Sequence, residues 1–287
     1  MVRRRIRLAQ NFLRERRVAA SVVAASGLDR GDVVYEIGPG EGMLTGELAR
    51  RCGRVVAVEK DPALAALLRR RFRDAGNVRV VEGDWLRYRV REPGYRLFGN
   101  IPFNITARVV KAVLFGRHPP REARLVVQRE AAERFTGFPR QTEVAVLARP
   151  WFAIQTARRF RRTDFEPAPG VDVVLLLIAR RPHPLVARAQ AGAYRRFVRF
   201  GFEAWRRDLK TAFRRVFTHE QWKRLSQSLG FPPRARPTEL TFGQWLGLFE
   251  FRQRPGQDAG HSRPLPSRRA QINRDTSHFP RRLTRPA

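Results

Sequence analysis

From Val33 onward, short β-branched runs alternate with stretches of three- and four-residue apolar periodicity. This is the pattern of an open parallel sheet whose strands are joined by crossover helices. Residues 33–37, 54–58, 78–81, 96–98 and 125–128 read as strands, and 43–51, 63–72 and 105–115 as helices. Loop signals at Asp61-Pro62 and at residues 100–104 precede the last two helices. Two further apolar runs, 144–152 and 171–178, predict the antiparallel pair that often completes such a sheet. The expected class is α/β over residues 1–181.

After Arg180-Arg181-Pro182-His183-Pro184 the strand pattern stops. From Tyr194, Phe197, Gly201, Phe202, Trp205, Leu209, Phe213, Val216 and Phe217 recur at three- and four-residue steps. Arg195, Arg196, Arg199, Arg206, Arg207, Lys210, Arg214 and Arg215 fill most positions between them. One aromatic face and one basic face result. A second helix fits 221–229, and a third starts near Thr238, whose hydroxyl is placed to cap it, and runs through Phe249. Residues 182–251 are thus expected to form a smaller all-helical domain. Residues 252–287 hold nine Arg, five Pro and few apolar side chains, too few for a core, and predict a disordered basic tail.

Charge narrows the partner. The 287 residues carry 58 Lys plus Arg against 26 Asp plus Glu, a formal +32, which points to a polyanion. Only Lys60, Lys111, Lys210 and Lys223 are lysines, and guanidinium forks both clasp phosphates and stack on bases. Arg-rich coding explains part of the bias toward Arg but not the net charge. No apolar run approaches the roughly 18 residues of a membrane span, and the basic N-terminus lacks an apolar stretch behind it, so a cytoplasmic protein is expected. Cys52 is the only cysteine and no two of the five histidines stand at ligand spacing, which argues against disulfide scaffolds and zinc enzymes and for a site without metal.

The chemistry concentrates at strand ends. Glu36-Ile37-Gly38-Pro39-Gly40-Glu41-Gly42 follows the first strand and opens a helix, so Gly38, Gly40 and Gly42 let the backbone turn and a ligand approach the helix N-terminus. The G-x-G-x-G spacing and the flanking acids, Glu36 among them, disfavour a pyrophosphate and suit an uncharged adenosine bearing a cationic group. A plain tight turn and a seat for another cofactor remain open on this stretch alone. Glu59 ends the second strand, where a carboxylate can accept from both ribose hydroxyls. Asp84 follows the third and can accept from an adenine amino group; singly, either acid reads first as a solvated strand-end charge, and it is their register behind successive strands that makes them a site. Lys60 and Trp85 are candidates to lie over the adenine faces, although Lys60 can equally point to solvent.

Asn100-Ile101-Pro102-Phe103 ends the fourth strand. An exocyclic base amine is a poor nucleophile because its lone pair is delocalised into the ring. An Asn side-chain carbonyl and the backbone carbonyl beside a rigid Pro can accept its two N–H bonds and aim the freed lone pair at a methyl donor. Phe103 can stack on the base once it is flipped out. No general base is needed before attack, since the proton becomes acidic only after methylation.

These motifs resemble those of the rRNA adenine N6-dimethyltransferases, and among them the Erm type that confers resistance to macrolide, lincosamide and streptogramin B antibiotics. The likeness spans roughly residues 8–250. It adds Gln10-Asn11-Phe12-Leu13, Val58-Glu59-Lys60-Asp61, Gly83-Asp84, Phe165-Glu166-Pro167-Ala168-Pro169-Gly170-Val171-Asp172, and Pro237-Thr238-Glu239-Leu240-Thr241-Phe242 with Gln244-Trp245-Leu246. It implies a Rossmann-like methyltransferase sheet in which Gln10, Asn11, Gly38, Glu59, Asp84 and Asn100 contact S-adenosylmethionine, while Asn100 and Phe103 hold the target adenine. The implied substrate is the peptidyl-transferase loop of protein-free 23S rRNA, and the implied enzyme a monomer. Many relatives carry Tyr where this chain has Phe103, so a phenolic hydrogen bond is no part of the mechanism here. The KsgA type, acting on 16S rRNA, shares every catalytic motif. A non-catalytic RNA-binding or transcription factor on the same fold predicts decay of the glycine or Asn100 loops, and neither has decayed.

Overall fold

The computed structural model describes residues 12–203 and 208–253. Gln10, Asn11, Arg206, Arg207 and the tail from residue 254 lie outside the described residues. The described chain divides into two compact units, one of residues 12–132 and 154–180, the other of 133–153 and 181–253.

The first unit carries a seven-stranded sheet. Its elements in chain order are β1 (Phe12–Leu13), α1 (Arg16–Ala24), β2 (Val33–Ile37), α2 (Met43–Arg51), β3 (Arg54–Glu59), α3 (Pro62–Arg71), β4 (Val78–Glu82), β5 (Arg96–Asn100), α4 (Thr106–Phe115) and β6 (Glu122–Gln128). After α5 (Arg129–Thr136) and α6 (Glu143–Ala148) the chain returns as β7 (Phe152–Arg159), β8 (Phe165–Glu166) and β9 (Val173–Arg180). The sheet order is β4-β3-β2-β5-β6-β9-β7, parallel from β4 to β6 and antiparallel at β9. This is the expected Rossmann-like arrangement, and the order reverses between β2 and β5, the place where open α/β sheets bind ligands outside the strands' carboxyl ends.

Residues that alternate along the strands divide between the two faces. Val34, Val55, Phe98, Val126 and Leu175 join Val18, Val22 and Val23 of α1 and Leu44 and Leu48 of α2 in one buried cluster. On β2 the neighbour Tyr35 meets Trp85, Tyr88 and Tyr95 from the β4–β5 connection, which contains no helix. Asp61 starts α3 by accepting from the backbone N–H of Ala63 and Leu64, with Pro62 at the first helical position. Arg96 anchors the amino end of β5: it is buried and bonded to Asp32 at 3.1 Å, to the Ser26 carbonyl at 2.8 Å and to Glu122 at 3.6 Å.

The second unit is helical around an aromatic core. It contains α6, α7 (Ala191–Glu203), α8 (Leu209–Ala212), α9 (His219–Leu229) and α10 (Phe242–Arg252). Phe197 stacks on Phe213 with ring centres 4.8 Å apart, and Phe202 stacks on Trp245 at 5.1 Å. A Cβ on Gly201 would stand 2.5 Å from Trp245, so the close approach of that indole to α7 requires glycine.

Three expectations are corrected. The run 144–152 is not a strand: its first half is α6, capped by the Thr142 hydroxyl, and the strand begins only at Phe152. Ala145, Val146, Leu147 and Ala148 are all buried, so no alternation survives to separate helix from strand, and Pro150 bars an interior strand there. The amphipathic stretch from Tyr194 is not one helix, because Asp208 accepts from the Thr211 N–H and starts α8 afresh. The last helix is capped by Thr241 and not by Thr238: Gln244 returns a bond to the Thr241 N–H and closes a capping box that Thr238 has no partner to make.

Candidate active site

Four strand ends bring the predicted residues to one edge of the sheet. In the parallel register Ile37 pairs with Val58 and with Gly99, and Glu59 pairs with Glu82, so the glycine loop, Glu59, the Asp84 turn and Asn100 all leave the same side. Gly38, Gly40 and Gly42 have φ of 59°, 60° and 83°, left-handed backbone that only glycine adopts at little cost. A Cβ on Gly40 would stand 2.6 Å from the Phe12 ring, and one on Gly42 would stand 2.7 Å from Leu68 and Phe72. At Gly38 no atom of the described residues lies within 4 Å of the corresponding position, an open flank beside the loop.

The carboxylates do different work. Glu59 is 2% exposed; its Oε2 accepts from the Gly40 N–H at 3.1 Å and its Oε1 from the Asp61 N–H at 2.9 Å. It therefore fixes the glycine loop, and burial pushes its pKa up while the backbone donors hold it down. Glu36 is 1% exposed and turned onto α2, accepting from the Thr45 hydroxyl at 2.6 Å. Burial raises its pKa to about 8, against the pull of Thr45 and with the help of Glu59's charge. Glu36 is thus mainly protonated at neutral pH and braces the loop from within. Asp84 is half-exposed and held below the usual carboxylate range, first by the Leu86 N–H at 2.9 Å and then by Lys60 at 3.3 Å. Lys60 is paired with Asp84, and the Trp85 ring lies near Tyr88 and Tyr35, at 6.0 and 6.2 Å between centres.

Asn100 is the last residue of β5, opposite Val126 of β6. The Ile101 N–H continues the pairing by donating to the Val126 carbonyl at 3.0 Å, and Ile101 is buried. Pro102 then turns the chain into a single 3-10 turn, Phe103–Ile105, that leads into α4. The Pro102 carbonyl accepts from the Ile105 N–H at 3.1 Å and the Thr106 hydroxyl at 3.4 Å. Phe103 is half-buried, packed against the cluster beneath α1 and α2.

Sequence reading missed how the distant motifs meet. β1 pairs antiparallel with β8, Phe12 opposite Glu166, so the Phe12-Leu13 and Phe165-Glu166 motifs form one small ribbon, and Phe12 abuts Gly40. Thr45 was also missed; its position nine residues after a strand-end Glu carries no general signal. In the helical unit Arg195, Arg196, Arg199, Arg214 and Arg215 are exposed and Lys210 is half-buried, with Arg199 3.7 Å from Glu143.

The Asn100-to-Phe103 loop and the glycine loop thus stand at one edge of the sheet. The model of the family described as ribosomal RNA adenine dimethylase matches residues 1–254. The chain belongs to the ribosomal RNA adenine dimethylase family. It is 36% identical over 255 residues to an "rRNA methyltransferase" of Streptomyces thermotolerans, covering 86% of this chain and 83% of that protein. It is also 32% identical over 251 residues to a "Ribosomal RNA small subunit methyltransferase A" of Chlorobium phaeobacteroides, covering 85% and 89%. The solved structure of the 23S rRNA methyltransferase ErmE superposes with a TM-score of 0.79 and 31% identity, over 84% of this chain and 98% of that one. The protein is accordingly an rRNA adenine N6-methyltransferase, and none of the described helices is long and apolar enough to cross a membrane.

Proposed function

We propose that this enzyme moves methyl groups from S-adenosylmethionine to N6 of one adenine in the peptidyl-transferase loop of protein-free 23S rRNA, in the cytoplasm and as a monomer. The observation that carries the chemistry is the Asn100-to-Phe103 loop at the end of β5, next to the glycine loop of β2. The donor set fits the methyl donor: an open flank at Gly38, Glu59 fixed by two backbone N–H groups with lone pairs left for ribose hydroxyls, and an ionised Asp84 for the adenine amino group. When bound, that donor supplies an electrophilic methyl carbon.

The remaining work falls to the chain. The Asn100 side-chain carbonyl accepts one N6–H bond of the flipped adenine. The Pro102 carbonyl is engaged by Ile105 and Thr106, so the second acceptor is the Ile101 carbonyl. Together they draw the nitrogen out of the ring plane and point its lone pair outward. Phe103 stacks on the base, and the proton leaves to solvent after methylation.

Similarity to ErmE favours 23S rRNA, and similarity to the small-subunit enzyme supplies the competing substrate. Labelled methyl groups should appear as N6-methylated adenine in naked 23S rRNA or its domain V transcript and in neither 16S rRNA nor 70S ribosomes. Expression should raise erythromycin tolerance, because added methyl bulk obstructs drug binding. Label in 16S rRNA with unchanged tolerance would establish the small-subunit reading instead.

A further inference from the structure

The α5–α6 connection presents the most exposed large hydrophobic side chain among the described residues. Phe138 is 74% exposed, although the segment around it is firmly tied. Gly137, at φ 69°, donates its N–H to the Glu133 carbonyl at 2.9 Å. The Gln141 amide donates to the Gly137 carbonyl at 2.9 Å, and the Gln141 backbone N–H donates to the Thr238 carbonyl at 2.9 Å. Thr142 donates its hydroxyl to the Arg134 carbonyl at 2.5 Å while accepting from the Ala145 N–H. Gln141 is 9% exposed, and among the described residues its Oε1 has no hydrogen-bond partner, a polar atom left unmatched in holding the loop. Phe138 thus stands exposed on a loop that hydrogen bonds hold on both sides of it.

Exposed arginines stand close to it in the chain. Arg134 and Arg140 flank it in sequence and are exposed; Arg236 stands two residues before the Thr238 carbonyl that the loop engages, and is exposed too. Acids stand nearby as well: Glu133 precedes Arg134, Glu143 at the start of α6 lies 3.7 Å from Arg199, and Glu239 accepts from the Arg236 N–H at 2.9 Å. An exposed aromatic ring on a hydrogen-bonded loop, with exposed arginines on either side of it in sequence, is a combination suited to single-stranded nucleic acid, ring on base and forks on phosphates. A second copy of the chain is a poor occupant, since like charge at a net +32 opposes association through a basic surface.

We propose that Phe138 is a stacking platform for an unpaired nucleotide of the RNA substrate, distinct from the target adenine, with Arg134 and Arg140 contacting the adjoining phosphates. This rests on the reading of rRNA as substrate. Full-length protein and its Phe138→Ala variant would be titrated against a domain V transcript and against a perfect RNA duplex of equal length. Phe138→Ala should weaken binding to the transcript about tenfold, within the range for one base–aromatic stack, and leave duplex binding unchanged. Phe138→Trp should restore it. Arg140→Ala should instead weaken both RNAs and flatten the salt dependence. S-adenosylhomocysteine affinity and Tm should not move in any variant. Wild-type methylation of rRNA together with unchanged transcript affinity in Phe138→Ala overturns the inference alone. A wild-type dimer that Phe138→Ala dissociates overturns it in favour of self-association. Failure of the wild type to bind or methylate any rRNA removes the substrate assignment and this inference with it.

Discussion

At the carboxyl edge of the sheet Glu59 and Asp84 accept from backbone N–H groups and Glu36 from a threonine hydroxyl, whereas the helical unit buries aromatic rings and turns arginines outward. Glu36 and Glu59 are almost wholly enclosed in a chain of net charge +32, while Arg195, Arg196, Arg214 and Arg215 are open to water. Ionised Asp84 at this edge repels phosphate and suits a neutral nucleoside with a cationic centre. A basic exterior does the reverse. On the proposed function the two regions would divide recognition between a small cofactor and a polyanion, with the reacting base flipped out of its RNA toward the strand ends.

The sharpest way to break that division is Gly40→Arg. Its φ of 60° and the Phe12 ring 2.6 Å from the Cβ position leave no place for a side chain. Calorimetric titration with S-adenosylhomocysteine should show no binding by a folded variant; unchanged affinity would remove the cofactor from this edge. Next in size, Asn100→Ala should cut methyl transfer about a hundredfold or more, roughly 3 kcal/mol of transition-state stabilisation, with cofactor affinity largely kept. Equal loss of binding and rate would make Asn100 a cofactor residue only. Phe103→Leu should lose about 1 to 3 kcal/mol of stacking, and Phe103→Tyr should be tolerated.

A smaller effect probes the buried acid. Folded Glu36 keeps its proton up to about pH 8, but the unfolded chain releases it near 4.5, so its contribution is fully present below about 4.5 and is lost as pH rises to about 8. Glu36→Gln keeps an acceptor for Thr45 and removes that loss. Thermal melts should show equal Tm near pH 4.5 and a variant several degrees more stable at pH 8.5. Parallel Tm–pH curves would show that Glu36 ionises normally. The smallest effect belongs to the basic exterior: truncation after Arg252 removes eight of the nine tail arginines, and should lower RNA affinity and flatten its salt slope while cofactor binding stays intact. Unchanged salt dependence would exclude the tail from RNA contact.

Much of this was legible without coordinates. The five parallel strands, the glycines at their left-handed turn and Asn100 at a strand end follow from patterns within a few residues of each other, because backbone sterics and capping are local. Even the correction at the last helix had a local signal, Thr241 with Gln244 three residues on. Residues 143–148 had a weaker one, since a short run buried on every side has no period to read.

What the sequence by itself determined, then, is which residues stand at each strand end and the sign of the net charge, both written in residue type and short spacing. Only the tertiary structure decided which distant segments meet: Phe12 with Glu166 across the small ribbon, residues 133–153 with the helical unit, and Phe138 left in water on a tied loop. Those outcomes depend on burial and pairing between residues far apart in the chain. Their free energy comes from surfaces that exist only after the sheet and the helices have formed, so no local spacing records them.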